Sequence, residues 1–134
     1  MKYWIVPHNS KKFKLEEALR INKGFVDWRI KKVSVGDIVF LYSAKPLGYI
    51  KHMFNVVATD FIFEESINKK EFWTDKDQFK QGNGTFVRLK LIGILNERVL
   101  TAEALSQHGV NGNIQSKREC TPETLKFILN SLKK

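Results

Sequence analysis

Cysteine is almost missing: Cys120 stands alone in 134 residues. No internal disulfide can form and no Cys pair is available for a zinc or redox motif. That fits a reducing compartment, so a cytoplasmic location is expected. Proline is scarce too, with three residues and no Gly/Ser-rich or repetitive stretch, which argues against linkers and disorder. The run from Met1 to Pro7 is too short for a signal peptide, and no stretch approaches the roughly 20 apolar residues of a membrane span. No membrane partner is expected.

Chemistry-bearing clusters are also lacking. His8, His52 and His108 lie far apart, and none belongs to a spaced set of Cys, Asp or Glu ligands, so no metal is expected. There is no glycine-rich phosphate loop after a strand, no nucleophile elbow and no Cys/His signature. The pairs Glu16-Glu17 and Glu64-Glu65 are sequence neighbours that point apart on a helix or strand and read as solvated. No catalytic residue and no cofactor is nominated, although a catalytic set assembled in space from scattered residues stays open.

What is abundant is positive charge. Lys and Arg number 23 against 14 Asp and Glu, a formal net charge of +9. A polyanion is the natural partner of such a field; the plainer alternative is a basic surface that only aids solubility. The 43% apolar residues, among them ten Phe and three Trp, suffice for one core, and a single domain over 1–134 is expected.

Tyr3 to Val6 reads as a first strand that ends at His8-Asn9, with Trp4 as a core residue. Leu15, Ala18 and Leu19 recur at helical spacing, and Gly24 follows as a stop. Phe25 to Ile30 places Trp28 among charges and looks irregular. After the Val35-Gly36-Asp37 turn, Ile38 to Tyr42 is continuously apolar and reads as a strand buried on both faces, ended by Ser43. Tyr49 to Thr59 forms its hairpin partner. Phe61 to Phe79 has no clean period, and Gly82-Asn83-Gly84 signals a turn into a half-buried strand over Thr85 to Leu95. Thr101 caps a short helix that ends at Gly109, and Thr121-Pro122 opens a last helix with Leu125, Ile128, Leu129 and Leu132 toward the core. Between the two helices, Val110 to Arg118 is a polar loop anchored by Ile114. Strands with inserted and appended helices define an α+β class.

Four separated pieces carry a resemblance to the EVE domains of the PUA-like superfamily, to which the YTH modified-RNA readers and the ASCH domains also belong. They are Tyr3-Trp4-Ile5-Val6-Pro7-His8-Asn9, Val26-Asp27-Trp28, Gly36-Asp37-Ile38-Val39-Phe40-Leu41-Tyr42-Ser43-Ala44-Lys45-Pro46, and Gly109 to Arg118. The third is the most specific. The resemblance implies a curved, largely closed sheet (a pseudo-barrel) flanked by helices, with a pocket that accepts a base flipped from its strand and reads its modification. It implies Trp28 as one cage wall and Trp73 as the other, Asn9 on the base edge, Ser43 on the floor and Gln115 closing from the late loop. Lys45, Lys117 and Arg118 are the implied phosphate contacts.

Each assignment has a plainer counterpart. Trp28 could be a packed indole and Trp73 a loop anchor, Ser43 and Asn9 could cap strand ends, and Lys117-Arg118 could be an ordinary exposed pair. The expected function is a non-catalytic module that recognises a modified base in nucleic acid, DNA before RNA, with a nuclease or other effector protein as an implied partner. The alternatives are a general RNA-binding domain and an ASCH-like enzyme acting on modified nucleosides.

Overall fold

The computed structural model describes residues 1–9, 11–44, 46–62, 66–67, 72, 85–110, 112 and 114–133. Six strands form one mixed sheet: β1 (Tyr3–His8), β2 (Phe25–Trp28), β3 (Ile38–Ser43), β4 (Tyr49–Phe61), β5 (Phe86–Ile94) and β6 (Arg118–Glu119), in the order β2-β5-β4-β3-β1-β6. Helix α1 (Leu15–Ile21) follows β1, α2 (Ala102–Ser106) follows β5 and α3 (Pro122–Leu129) follows β6. The α+β class is therefore as expected. Among the described residues no helix is long and apolar enough to cross a membrane.

The continuous apolar run of β3 is buried at all six positions because helices cover both faces of the sheet. On one face Val6, Val39, Leu41, Phe54 and Val56 meet Leu15, Ala18 and Leu19 of α1. On the other, Ile5, Phe40, Tyr42 and Ile50 meet Leu105 of α2 and Ile128 of α3. Gly36 opens β3 from a turn with φ of +97°, a backbone state that other residues adopt only with strain. Thr101 and Thr121 accept at their side chains from the backbone N–H groups of Ala104 and Thr124, the caps the sequence signals.

Pro7 lies inside β1, which ends at His8 as expected, and pairs with Tyr42. The carbonyls of Lys2 and His8 face β3, accepting from Ile38 and Ala44, whereas that of Tyr3 faces β6 and accepts from Cys120. Odd positions therefore turn toward β6, whose pairing stops at Ile5. Among the described residues no ladder on that side loses a donor at Pro7, so the proline is tolerated.

Two expectations need correction. Phe25–Trp28 is not irregular; it is a strand paired with β5, because the charge of Asp27 is neutralised within the sheet. Arg88 donates from Nε to Oδ1 of Asp27 at 2.9 Å and from a terminal nitrogen to Oδ2 at 3.2 Å, and the Ile67 N–H adds a bond of 2.8 Å. Leu132 is 42% exposed, and Thr124 takes its place in the buried surface, its hydroxyl donating to the His108 carbonyl. The middle segment and the Gly82-Asn83-Gly84 turn lie almost wholly outside the described residues.

Edge strands β2 and β6 do not pair with each other among the described residues. Their neighbouring segments nevertheless meet: Lys117, just before β6, donates from Nζ to the carbonyls of Lys31 and Lys32, just after β2, the second at 3.4 Å. One side chain thus links the segments that adjoin the two margins of the sheet.

Candidate nucleic-acid interface

The only parallel pair in the described sheet, β1 with β3, ends in register at His8 and Ser43. Both residues are nearly inaccessible, 3% and 2% exposed. His8 bonds through Nδ1 to the Ser43 hydroxyl at 3.2 Å and through Nε2 to the Phe13 carbonyl at 3.0 Å. The indole of Trp28 stands edge-on to the His8 ring at 5.4 Å between centroids and to the Phe13 ring at 5.1 Å, with Phe72 beyond Phe13 at 6.2 Å. These rings form an aromatic ridge on the α1 side of the sheet.

Two clefts share residues of this ridge. The first, about 390 Å³, is lined by Pro7, Trp28, Arg29, Lys31, Lys32 and Lys117, with Val6, Ile30 and Ser116. It has one half-exposed indole and four cationic side chains. Lys117 also lies over the Trp4 ring, 4.2 Å from its centroid. Trp4 is thus half-buried rather than wholly core, and its indole N–H donates to Asp37 at 3.0 Å. Burial works against the charge of Asp37, but the N–H groups of Ser34 and Lys2, each at 3.0 Å, and that of Trp4 outweigh it and hold the carboxyl below its usual range. Partial burial, then the neighbouring Lys32 and Lys2, lower the Lys117 ammonium from its ordinary value.

The second cleft, about 360 Å³, is lined by His8, Ser43, Tyr49, Lys51, His52 and Glu16, with Phe13, Lys14, Leu15, Glu17 and Leu47. A β-bulge makes it. Leu41 pairs with His52 but Tyr42 pairs with Ile50, which leaves Lys51 as the extra residue. Tyr49 and His52 consequently face the same side, three positions apart, where plain alternation would separate them. Glu16 is not simply solvated, since its carboxylate accepts from His52 Nε2 and lies 3.5 Å from the Lys51 ammonium.

Burial is the main reason that both imidazoles are held below the ordinary value of 6.5; for His8 the Phe13 carbonyl opposes it, for His52 the Glu16 carboxylate. The unfolded chain therefore takes up these protons more readily than the folded one. Stability from this source is complete above about pH 6.5 and falls as pH drops below it toward the folded-state values. Urea midpoints should decline from about pH 7.5 to 5, and the His8→Gln/His52→Gln double variant should decline less.

Of the residues nominated from sequence, Trp28 and Lys117 share the first cleft, and Ser43 lines the second, linked to Trp28 through His8. Asn9 is exposed and lines neither; its side-chain oxygen accepts from the Lys11 N–H at 3.0 Å, an ordinary local turn. Gln115 is exposed and lines neither, although the adjacent Ser116 lines the first cleft. Arg118 pairs with Ile5 in the sheet and lines neither. Trp73 and Lys45 lie outside the described residues. Sequence reasoning passed over His8, Phe13, Arg29, Lys31, Lys32 and His52. Among the described residues no group of three His, Cys, Asp or Glu could hold a metal.

A mixed sheet of this order, with helices on both faces, is PUA-like by its likeness to solved structures. Solved structures that share it include an ASCH domain and an EVE-domain protein. The ASCH protein from Zymomonas mobilis superposes with a TM-score of 0.69 at 12% identity over 99% of this chain and 97% of that one. Human THYN1, solved in complex with 5-methylcytosine containing DNA, gives 0.64 at 12% identity over 97% and 96%. A hypothetical protein from Leishmania major gives 0.67 at 17% identity over 97% and 93%. No family model and no curated protein sequence matches the chain.

Proposed function

We propose that this protein is a nucleic-acid-binding module that reads a modified base, in DNA rather than RNA, at the cleft built around Trp28. The observation that carries the reading is the convergence of one half-exposed indole with Arg29, Lys31, Lys32 and Lys117. A base extruded from its strand stacks on Trp28, and the surrounding cations hold phosphates. That THYN1, which shares the fold, binds 5-methylcytosine DNA supports both the nucleic acid and the modification. In this reading the sheet is a largely closed curve drawn together at Lys117. The protein performs no turnover, resides in the cytoplasm, and leaves any downstream action to a nuclease or other effector protein.

The test is a binding panel of short DNA and RNA oligonucleotides, plain and carrying methylated adenine or modified cytosine, titrated at several salt concentrations. A modified DNA strand should bind most tightly. Lys31→Ala and Lys32→Ala should each weaken all strands alike and lower the slope of log K against log salt by about 1. Equal, salt-sensitive binding to every strand would leave a general nucleic-acid or RNA binder. A second reading, an ASCH-like enzyme acting on modified nucleosides, is favoured by one observation, the shared position of His8, Ser43 and His52 in the second cleft. Turnover of free modified nucleosides in the same panel would decide for it.

A further inference from the structure

We infer that Lys117 is a positioning residue of the first cleft rather than a phosphate contact: its ammonium clasps the cleft wall at Lys31 and Lys32. The clasp stands on the geometry alone, and its effect on base preference rests on the reading proposed for that cleft. Hydrogen-bond accounting carries the assignment. An ammonium has three hydrogens to donate and no lone pair. Lys117 Nζ donates to the carbonyls of Lys31 and Lys32, and the centroid of the Trp4 ring lies 4.2 Å from it. A phosphate reaches this nitrogen only by displacing a partner that it already has.

The partners are themselves fixed. Trp4 Nε1 donates to Asp37 at 3.0 Å, and the same carboxylate accepts from the N–H groups of Lys2 and Ser34, each at 3.0 Å. Ser34 follows Lys32 closely in the chain, so the segment from Lys31 to Asp37 is tied back on itself through Trp4 and Lys117. Within this loop Lys32 has φ of +60°, a left-handed state that a lysine adopts only with strain. Such a state persists where its surroundings over-determine it. The carbonyls of Lys31 and Lys32 belong to the peptide planes on either side of the Lys32 Cα, and one ammonium holds both. Holding two rigid planes holds the torsions between them.

Lys31 and Lys32 line the cleft beside Trp28 and Arg29. The clasp thus sets where their side chains leave the wall, and an arriving base meets a wall already formed. Without the clasp, ordering that wall becomes part of binding and weakens it wherever a base has to seat. Strands held by charge alone seat no base and should lose little. Partial burial and the charges of Lys32 and Lys2, which lower the Lys117 ammonium, agree with a nitrogen enclosed by its neighbours.

The experiment compares the wild-type chain with Lys117→Met, which removes the ammonium and keeps an apolar stem against Trp4; thermal unfolding verifies that the variant is folded. In the free wild type, the Lys117 ε-methylene protons should be shifted upfield by the Trp4 ring, and the backbone shifts of Lys32 should report the left-handed state. In Lys117→Met that state should be lost. Unshifted ε-methylene protons in the wild type, or a Lys32 that stays left-handed in the variant, overturns the clasp whether or not any strand binds. Anisotropy titrations then use short DNA, plain and carrying 5-methylcytosine or methylated adenine. The preference for the modified strand should fall roughly fivefold or more, as expected when two side chains must be ordered on binding. Binding of plain DNA should keep its salt slope. A uniform loss on every strand with a slope lower by about 1, the pattern of Lys31→Ala, would make Lys117 a phosphate contact and overturn the proposal. A wild type that prefers no modified strand overturns the base-reading role instead, and the spectra of the free protein still decide the clasp.

Discussion

Trp28→Ala should erase the preference for the modified base and leave the salt-sensitive binding of plain strands. Stacking of a base on an aromatic side chain is worth about 1–3 kcal/mol, so the modified strand should lose roughly 5- to 150-fold in affinity. The cations lining the same cleft are untouched, and the background they supply should keep its salt slope. Because the indole also backs His8 and Phe13, the alanine variant loosens the ridge as well. Trp28→Phe separates the two effects: it keeps a stacking face and should retain part of the preference. Anisotropy titrations at two salt concentrations, with thermal unfolding of each variant alongside, read all of this. An equal loss for plain and modified strands would reduce Trp28 to a packing role.

The largest stability effect is expected from Asp27→Ala. Asp27 is fully buried, and Arg88, with its side chain 29% exposed, grips both carboxylate oxygens. Removing one partner of a buried pair typically costs about 3–5 kcal/mol, chiefly because the other charge is left without compensation. For a domain of this size that corresponds to a fall in Tm of roughly 10–20 °C. The double variant Asp27→Ala/Arg88→Met should recover part of the loss, since it removes the stranded guanidinium and keeps its apolar stem. Urea unfolding of the single and double variants gives the coupling directly. A single variant as stable as the wild type would mean that this pair does not hold β2 to the sheet.

The contrast between β3 and β2 shows what the sequence could disclose. Five consecutive apolar residues from Ile38 to Tyr42 require burial on both faces wherever they fall, so that strand was legible on its own. The strand containing Asp27 becomes acceptable only through Arg88, 61 residues away, and no local pattern announces such a partner. The first cleft was half legible: Trp28 and Lys117 stood out among their neighbours, but Arg29, Lys31 and Lys32 looked like solvated charge until the fold set Lys117 beside them. The second cleft was hidden. It depends on the parallel register that sets His8 beside Ser43 and on a bulge at Lys51. Even spacing alone would have put Ile50, His52 and Phe54 on one face, whereas the bulge sends Ile50 to the opposite core.

The brevity of the outermost strands bears on how the molecule behaves at high concentration. A sheet margin with a long run of unpaired backbone groups is a template on which another chain can extend the ladder. Among the described residues the margins are β2, four residues, and β6, two residues. Each carries charge, Asp27 in one and Arg118-Glu119 in the other, and neither offers an extended apolar face. Self-association by strand addition is therefore poorly templated at both ends of the described sheet, which would suit the proposed function, since a polymeric ligand brings many copies together.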